Sequence, residues 1–122
     1  APRERAGVER WMDWQATELN SAWRYAFYAL VRTSPQHQDA AEIQLSVHRW
    51  NRTMSLLDAQ LQHTGAYAAG AHFTLADVAL GVSTHRWLAA PIERPALPQV
   101  AAYCARLRER PGFQRHVPSG GA

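Results

Sequence analysis

The chain has no lysine: all 13 basic residues are arginine, set against 10 acids for a net charge of +3. Arginine suits phosphate contacts, but here it forms no run. The only dense group is Arg106, Arg108, Arg110 and Arg115, and Arg106 and Arg110 share a helix face with Glu109 beside it, as on a solvated surface. A nucleic-acid partner is therefore not expected. A single cysteine, Cys104, excludes an internal disulfide and favours a reducing compartment, with cytoplasm as the default. No apolar run approaches the ~18 residues of a membrane span. The opening Ala1-Pro2-Arg3-Glu4-Arg5 lacks the apolar core of a signal peptide. None of the six histidines pairs with another at i,i+4, and H-E-x-x-H is missing, so no metal site is expected. His72, His85 and His116 are read as surface or boundary residues. Neither a G-x-S-x-G nucleophile setting nor a glycine-rich phosphate loop occurs. Sustained strand alternation and internal repeats are also lacking.

What is present is enough for one helical domain. At 122 residues, 47% hydrophobic and 19% charged, the chain can build a core without staples. It is organised around Gly70-Ala71-His72-Phe73-Thr74-Leu75-Ala76-Asp77-Val78-Ala79-Leu80-Gly81. Thr74 is a good N-cap, and Asp77 at the third helical position can reach back to its N–H, a capping box with Asp in place of Glu. Phe73 and Val78 have the spacing of a hydrophobic staple. Beyond Asp77 the segment is apolar nearly all round, which marks a helix enclosed by others. Capping accounts for Asp77 fully, so it is read as structural and not as a catalytic acid.

The remaining elements follow from periodicity. One long helix is expected from about Arg3 to Arg32, with Val8, Met12, Leu19, Ala22, Trp23, Ala26 and Leu30 inward. Ser34-Pro35 reads as a cap and first helical residue opening a second helix, Gln36 to Gln62. Its Ile43, Val47, Trp50, Met54, Leu57 and Leu61 form an a/d seam against the first. Gly65 is the stop. Tyr67 to His72 is an extended connector to the capped helix, which runs to about Ala89. Gly81 inside that helix costs about 1 kcal/mol and suggests close backbone approach. Pro91, Pro95 and Pro98 mark a loop. Pro98 opens a fourth helix with Val100, Cys104 and Leu107 inward, which makes Cys104 a buried, inert thiol. Pro111 starts a short terminal helix carrying Phe113 and Val117. The expected fold is all-α, four principal helices plus that short terminal helix over residues 1–117, with 118–122 a flexible tail. Opposite the core, the first helix carries Arg10, Trp14, Thr17, Asn20, Ser21, Arg24 and Tyr28. Large aromatics there, Trp14 and Tyr28, imply a second subunit, another domain or a ligand. Coverage by the chain's own tail or proline-rich loop is the alternative.

Tyr67-Ala68-Ala69-Gly70-Ala71-His72-Phe73-Thr74-Leu75-Ala76-Asp77-Val78 resembles the Y-L-A-G-x-x-F-S/T-x-A-D element of the glutathione S-transferase C-terminal domain, where it begins the central helix. The stretch from Pro98 through Val100, Tyr103, Arg106, Leu107, Arg110, Pro111 and Phe113 is similar to that family's closing pattern, and Trp11-Met12-Asp13-Trp14-Gln15 to its first helix. Ala68 departs from the usual Leu, Ala71 from an acidic or polar residue, and Ser21 from the Pro of many bacterial relatives. The resemblance implies a thioredoxin-like N-terminal domain, absent from this chain, that binds glutathione and supplies the thiolate-stabilising residue. On that basis this chain holds no catalytic residue and no cofactor, and glutathione is the co-substrate of the intact protein. The resemblance further implies that Asn20, Trp23, Arg24, Phe27 and Tyr28 border the site of a small hydrophobic electrophile. Trp23 and Phe27 would act as apolar walls, and Asn20, Arg24 and Tyr28 as donors. It also implies a homodimer through the first two helices. The rival reading is a non-catalytic interaction module of the kind found on translation factors, aminoacyl-tRNA synthetases or bacterial regulators.

Overall fold

A computed structural model describes residues 2–110, with side chains from residue 5 onward. The expected terminal helix with Phe113 and Val117, His116, and the tail 118–122 lie outside the described residues. Within them every regular element is helical: α1 (Pro2–Trp14), a π-helical segment (Gln15–Leu19), α2 (Asn20–Leu30), α3 (Ala40–Thr64), α4 (Leu75–Ala89) and α5 (Pro98–Arg108). α1, the π segment and α2 run on as the single long helix expected, so the four principal helices are present.

The π segment corrects the register of the first stripe. A π turn adds one residue to the helix, so the inward positions upstream of it slide by one. Trp11 and Trp14 pack against the core and meet edge-to-face at 5.1 Å. Met12, expected inside, is 38% exposed. Trp14, expected on the outer face, is instead half-buried against the core. Downstream of the segment the expected stripe holds, with Leu19, Ala22, Trp23 and Ala26 buried.

α2 and α3 pack closely because small residues face each other. The buried Ser46 hydroxyl of α3 donates to the Ala22 carbonyl at 2.7 Å and accepts the Ala26 N–H at 3.0 Å, joining the α2 hydrogen-bond ladder. α3 begins at Ala40, later than Ser34-Pro35 suggested, because Asp39 is the better cap. Its Oδ1 accepts the Ala41 N–H at 2.9 Å and the Glu42 N–H at 3.3 Å, satisfying two orphan donors. The Ser34 hydroxyl is instead taken by His37 Nδ1 at 2.7 Å. Trp50, Met54, Leu57 and Leu61 are fully buried along the α3 seam, while Ile43 and Val47 are half-buried. Gly65 ends the helix at φ 82°, and its N–H bonds the Leu61 carbonyl.

The connector from Tyr67 to His72 is a series of bends rather than an extended strand, held onto α4 by Asp77. Asp77 is fully buried. Its Oδ2 accepts the Thr74 N–H at 2.9 Å, and its Oδ1 accepts the Ala68 N–H at 3.0 Å and the Tyr103 O–H at 2.6 Å. Both arms of the Thr74–Asp77 box are present, and the Asp77 N–H also reaches the Thr74 carbonyl at 3.0 Å. One carboxylate therefore ties the connector, the start of α4 and the middle of α5. α5 opens on Pro98, and its Val100 N–H is capped from across the bundle by Asp58 Oδ1 at 2.9 Å. Arg94 Nη1 bonds the carbonyls of Trp87 at 3.1 Å and Ala90 at 2.9 Å, closing the C-terminal end of α4. Cys104 lies on the inner face of α5, where burial raises its thiol pKa above the usual value.

Candidate functional site

The feature that stands apart from core packing is the side of α2 turned toward α4. It starts at the π segment. Side chains five apart do not meet on an α-helix, but the wider π turn brings Gln15 and Asn20 together. Gln15 Nε2 donates to Asn20 Oδ1 at 3.1 Å and to Ser83 Oγ on α4 at 3.2 Å. Asn20 Oδ1 also accepts the Trp23 indole N–H at 2.7 Å. A polar chain of four residues therefore fixes the first helix against α4 and sets the orientation of the Trp23 ring.

Beyond it the site is aromatic and cationic. Trp23 and Phe27 pack edge-to-face at 5.1 Å, and Trp23 leans on the core Trp50 at 6.3 Å. The Arg86 guanidinium, from the last turn of α4, lies 5.2 Å from the Trp23 ring centre and 5.5 Å from that of Phe27. Arg32, just past α2, lies 5.4 Å from the same Phe27 ring. With these groups over them, Trp23 is 8% and Phe27 4% exposed.

The five residues singled out from the sequence share this side of α2 but divide into two kinds. Trp23 and Phe27 are buried and Asn20 is half-buried within the polar chain. Arg24 is exposed, and Tyr28 is 40% exposed, its ring 6.1 Å from Phe27 and 5.1 Å from His37. The open surface over Trp23 and Phe27 is thus guanidinium, not bare aromatic wall. Four participants escaped the sequence reading: Gln15, Ser83, Arg32 and Arg86. Arg86 left one signal, a lone cation in the last turn of an otherwise apolar helix. Gln15 and Ser83 left none, because their meeting depends on the π turn.

Elsewhere, no three His, Cys, Asp or Glu side chains come together to hold a metal among the described residues. His72 is exposed. His85 is half-buried with Nδ1 3.3 Å from Arg108 Nη2, and burial, then the Arg108 charge, lowers its pKa below 6.5. No described helix is long and apolar enough to cross a membrane.

Residues 40–106 match the family model for the glutathione S-transferase C-terminal domain. The chain belongs to that family. The chain is 30% identical over 117 residues to the glutathione S-transferase GstB of Escherichia coli K12, matching across 96% of this chain and 56% of that protein. It therefore spans about half the length of the curated relatives it matches. The theta class glutathione S-transferase of the citrus canker pathogen Xanthomonas axonopodis pv. citri, solved with glutathione bound, is 38% identical. The match covers 95% of this chain and 60% of that one, with a TM-score of 0.88. The apo form of the same enzyme superimposes with a TM-score of 0.87. Glutathione transferase F7 of Populus trichocarpa, at 22% identity, covers 95% of this chain and 56% of that one with a TM-score of 0.75, a likeness of fold.

Proposed function

We propose that the transferase domain forms the electrophile side of an intact glutathione S-transferase that joins glutathione to small hydrophobic electrophiles. The glutathione-binding, thiolate-stabilising half is a thioredoxin-like domain N-terminal to it, and the whole acts in the cytoplasm. The observation that carries the proposal is the polar chain Ser83–Gln15–Asn20–Trp23 leading into the Trp23–Phe27–Arg86 group. A rigid aromatic floor bearing donors and cations suits an electrophile whose leaving group or ring gains negative charge in the transition state.

In this reading Asn20, Trp23, Arg24, Phe27 and Tyr28 border the electrophile. Trp23 and Phe27 form the floor beneath Arg86. Asn20 orients Trp23, while Arg24 and Tyr28 offer donors at the exposed edge. The intact enzyme is a homodimer through the first helix and α3. A groove of about 430 Å³ between them is lined by Glu18, Ser21, Arg49, Arg52 and Leu56, with Leu56 57% exposed. A helical surface with apolar and charged residues of both signs suits a two-fold contact.

The test is kinetic, on the intact two-domain protein. Arg24→Ala and Tyr28→Ala should change kcat/KM for an aryl halide while leaving the KM for glutathione nearly as it was. Unchanged electrophile kinetics in both variants would return these residues to a surface or subunit role.

A further inference from the structure

A cavity of about 500 Å³, in the range that holds small molecules, lies between the C-terminal end of α4 and the start of α5. It shares no lining residue with the side of α2 described above. Its walls run from Trp87 and Leu88 of α4, across residues 95–98, to Ala101 of α5, and all of these are apolar. Arg94 is the exception, and no acid lines the cavity among the described residues. Although Arg94 lies on an exposed loop, its guanidinium is held in place. Nη1 donates to the carbonyls of Trp87, Ala90 and Ile92 at 3.1, 2.9 and 3.3 Å, and the guanidinium centre lies 5.7 Å from the Trp87 ring centre. The Nε–H and Nη2–H edge is left over, and among the described residues nothing accepts from it. Those two N–H groups run parallel, the side-on fork that takes both oxygens of one carboxylate. α5 adds a weaker pull of the same sign. It opens on Pro98 with no side-chain cap at Leu97, and Asp58, which takes the Val100 N–H, does not line the cavity.

We propose that this cavity binds a small amphipathic carboxylate, with its apolar body between α4 and α5 and its carboxylate on Nε and Nη2 of Arg94. Apolar walls reward a ligand body that leaves water, and a cation already fixed at the rim loses little freedom on pairing. The absence of an acid from the lining sets the sign of the ligand's charge. Binding is reversible and involves no covalent step. This inference stands apart from the electrophile-side reading and does not depend on it.

The probes are 4-phenylbutyrate and 4-phenylbutan-1-ol, which share an apolar body and differ in charge. Each is titrated into the full chain labelled with nitrogen-15, and amide chemical shifts report both the site and the Kd. Shifts should centre on Leu88, Ala96, Leu97 and Ala101. The carboxylate should bind about tenfold more tightly than the alcohol, as one charge-assisted contact at an exposed rim provides, and added salt should narrow the difference. Arg94→Gln should bring the Kd for phenylbutyrate to that of the alcohol and leave the alcohol's own Kd nearly unchanged. Ala101→Phe fills the cavity from an exposed position on α5, keeps Arg94, and should abolish binding of both probes. If Arg94→Gln loosens the end of α4 and weakens both probes alike, the Ala101→Phe result and the salt dependence decide in its place. The proposal is overturned by equal affinity for the two probes, by shifts centred on other residues, or by no shift at millimolar concentration. A carboxylate preference that survives Arg94→Gln or high salt also overturns it, as does undiminished binding in Ala101→Phe.

Discussion

Replacing Asp77 with alanine tests what holds the bundle together, and its cost can be worked from the hydrogen bonds. The carboxylate accepts the Thr74 N–H, the Ala68 N–H and the Tyr103 O–H, at 2.9, 3.0 and 2.6 Å. Ala68 and Tyr103 are fully buried, so water cannot replace the lost acceptor for either donor. A buried donor left without a partner costs about 1–3 kcal/mol, and loss of the N-terminal cap adds about 1 kcal/mol. The total for Asp77→Ala is about 3–7 kcal/mol, less if the connector relaxes enough to hydrate Ala68. A domain of this size has about 5–15 kcal/mol of stability in all. With a urea slope of about 2 kcal/mol per M, the midpoint should fall by about 1.5–3.5 M, and at the upper end of that range the chain is unfolded in buffer. Asp77→Asn keeps the volume and one oxygen but turns an amide donor toward groups that already donate, so it should fall between alanine and wild type. Circular dichroism and tryptophan fluorescence would follow the transition. Coincident midpoints for Asp77→Ala and wild type would mean that Asp77 does not hold the bundle together.

Other consequences are smaller and separable. Burial, reinforced by the Asp77 carboxylate and its hydrogen bond, holds the Tyr103 hydroxyl well above its ordinary pKa of 10.0. The folded state therefore keeps a proton that the unfolded state loses, and stability should decline as pH rises above 10.0, a slope that Tyr103→Phe removes. The His85 pKa is lowered below 6.5, so its contribution is present above that pH and lost as pH falls through the lowered value. Acid titration of the melting temperature should show this slope in wild type and not in His85→Gln. Asp58→Ala should cost about 1 kcal/mol by uncapping α5, read as a lower urea midpoint with the slope unchanged. Gly65→Ala should cost about 1 kcal/mol, because it forces a side chain into the left-handed conformation at φ 82°.

Features that depend on neighbours in sequence were legible. Thr74, Asp77 and Gly65 mark ends of elements because caps and stops are local chemistry, and the structure bounds α3 and α4 at those points. The all-α architecture and the family followed from the same stretch. Features that depend on meetings across the bundle were not legible. A capped serine-proline pair looks like a helix start, yet Asp39 competes successfully because its carboxylate satisfies two amides where a hydroxyl satisfies one. The π turn at Gln15–Leu19 leaves no periodic trace, so periodicity points inward at Met12, which is exposed, and outward at Trp14, which is half-buried against the core. The same turn creates the Gln15–Asn20 contact, and Arg86 reaches the site from a helix that reads as pure core. For the candidate site, the sequence could name one side of α2 but not the cations that cover it.

A domain that carries the electrophile side of the chemistry and not the glutathione side should not bind glutathione by itself. Titration calorimetry with glutathione decides this, run in parallel on this chain and on a longer protein that includes the proposed N-terminal domain, with circular dichroism confirming that both are folded. Saturable heat is expected from the longer protein and none above dilution from the chain alone. Micromolar binding of glutathione by the isolated chain would contradict it.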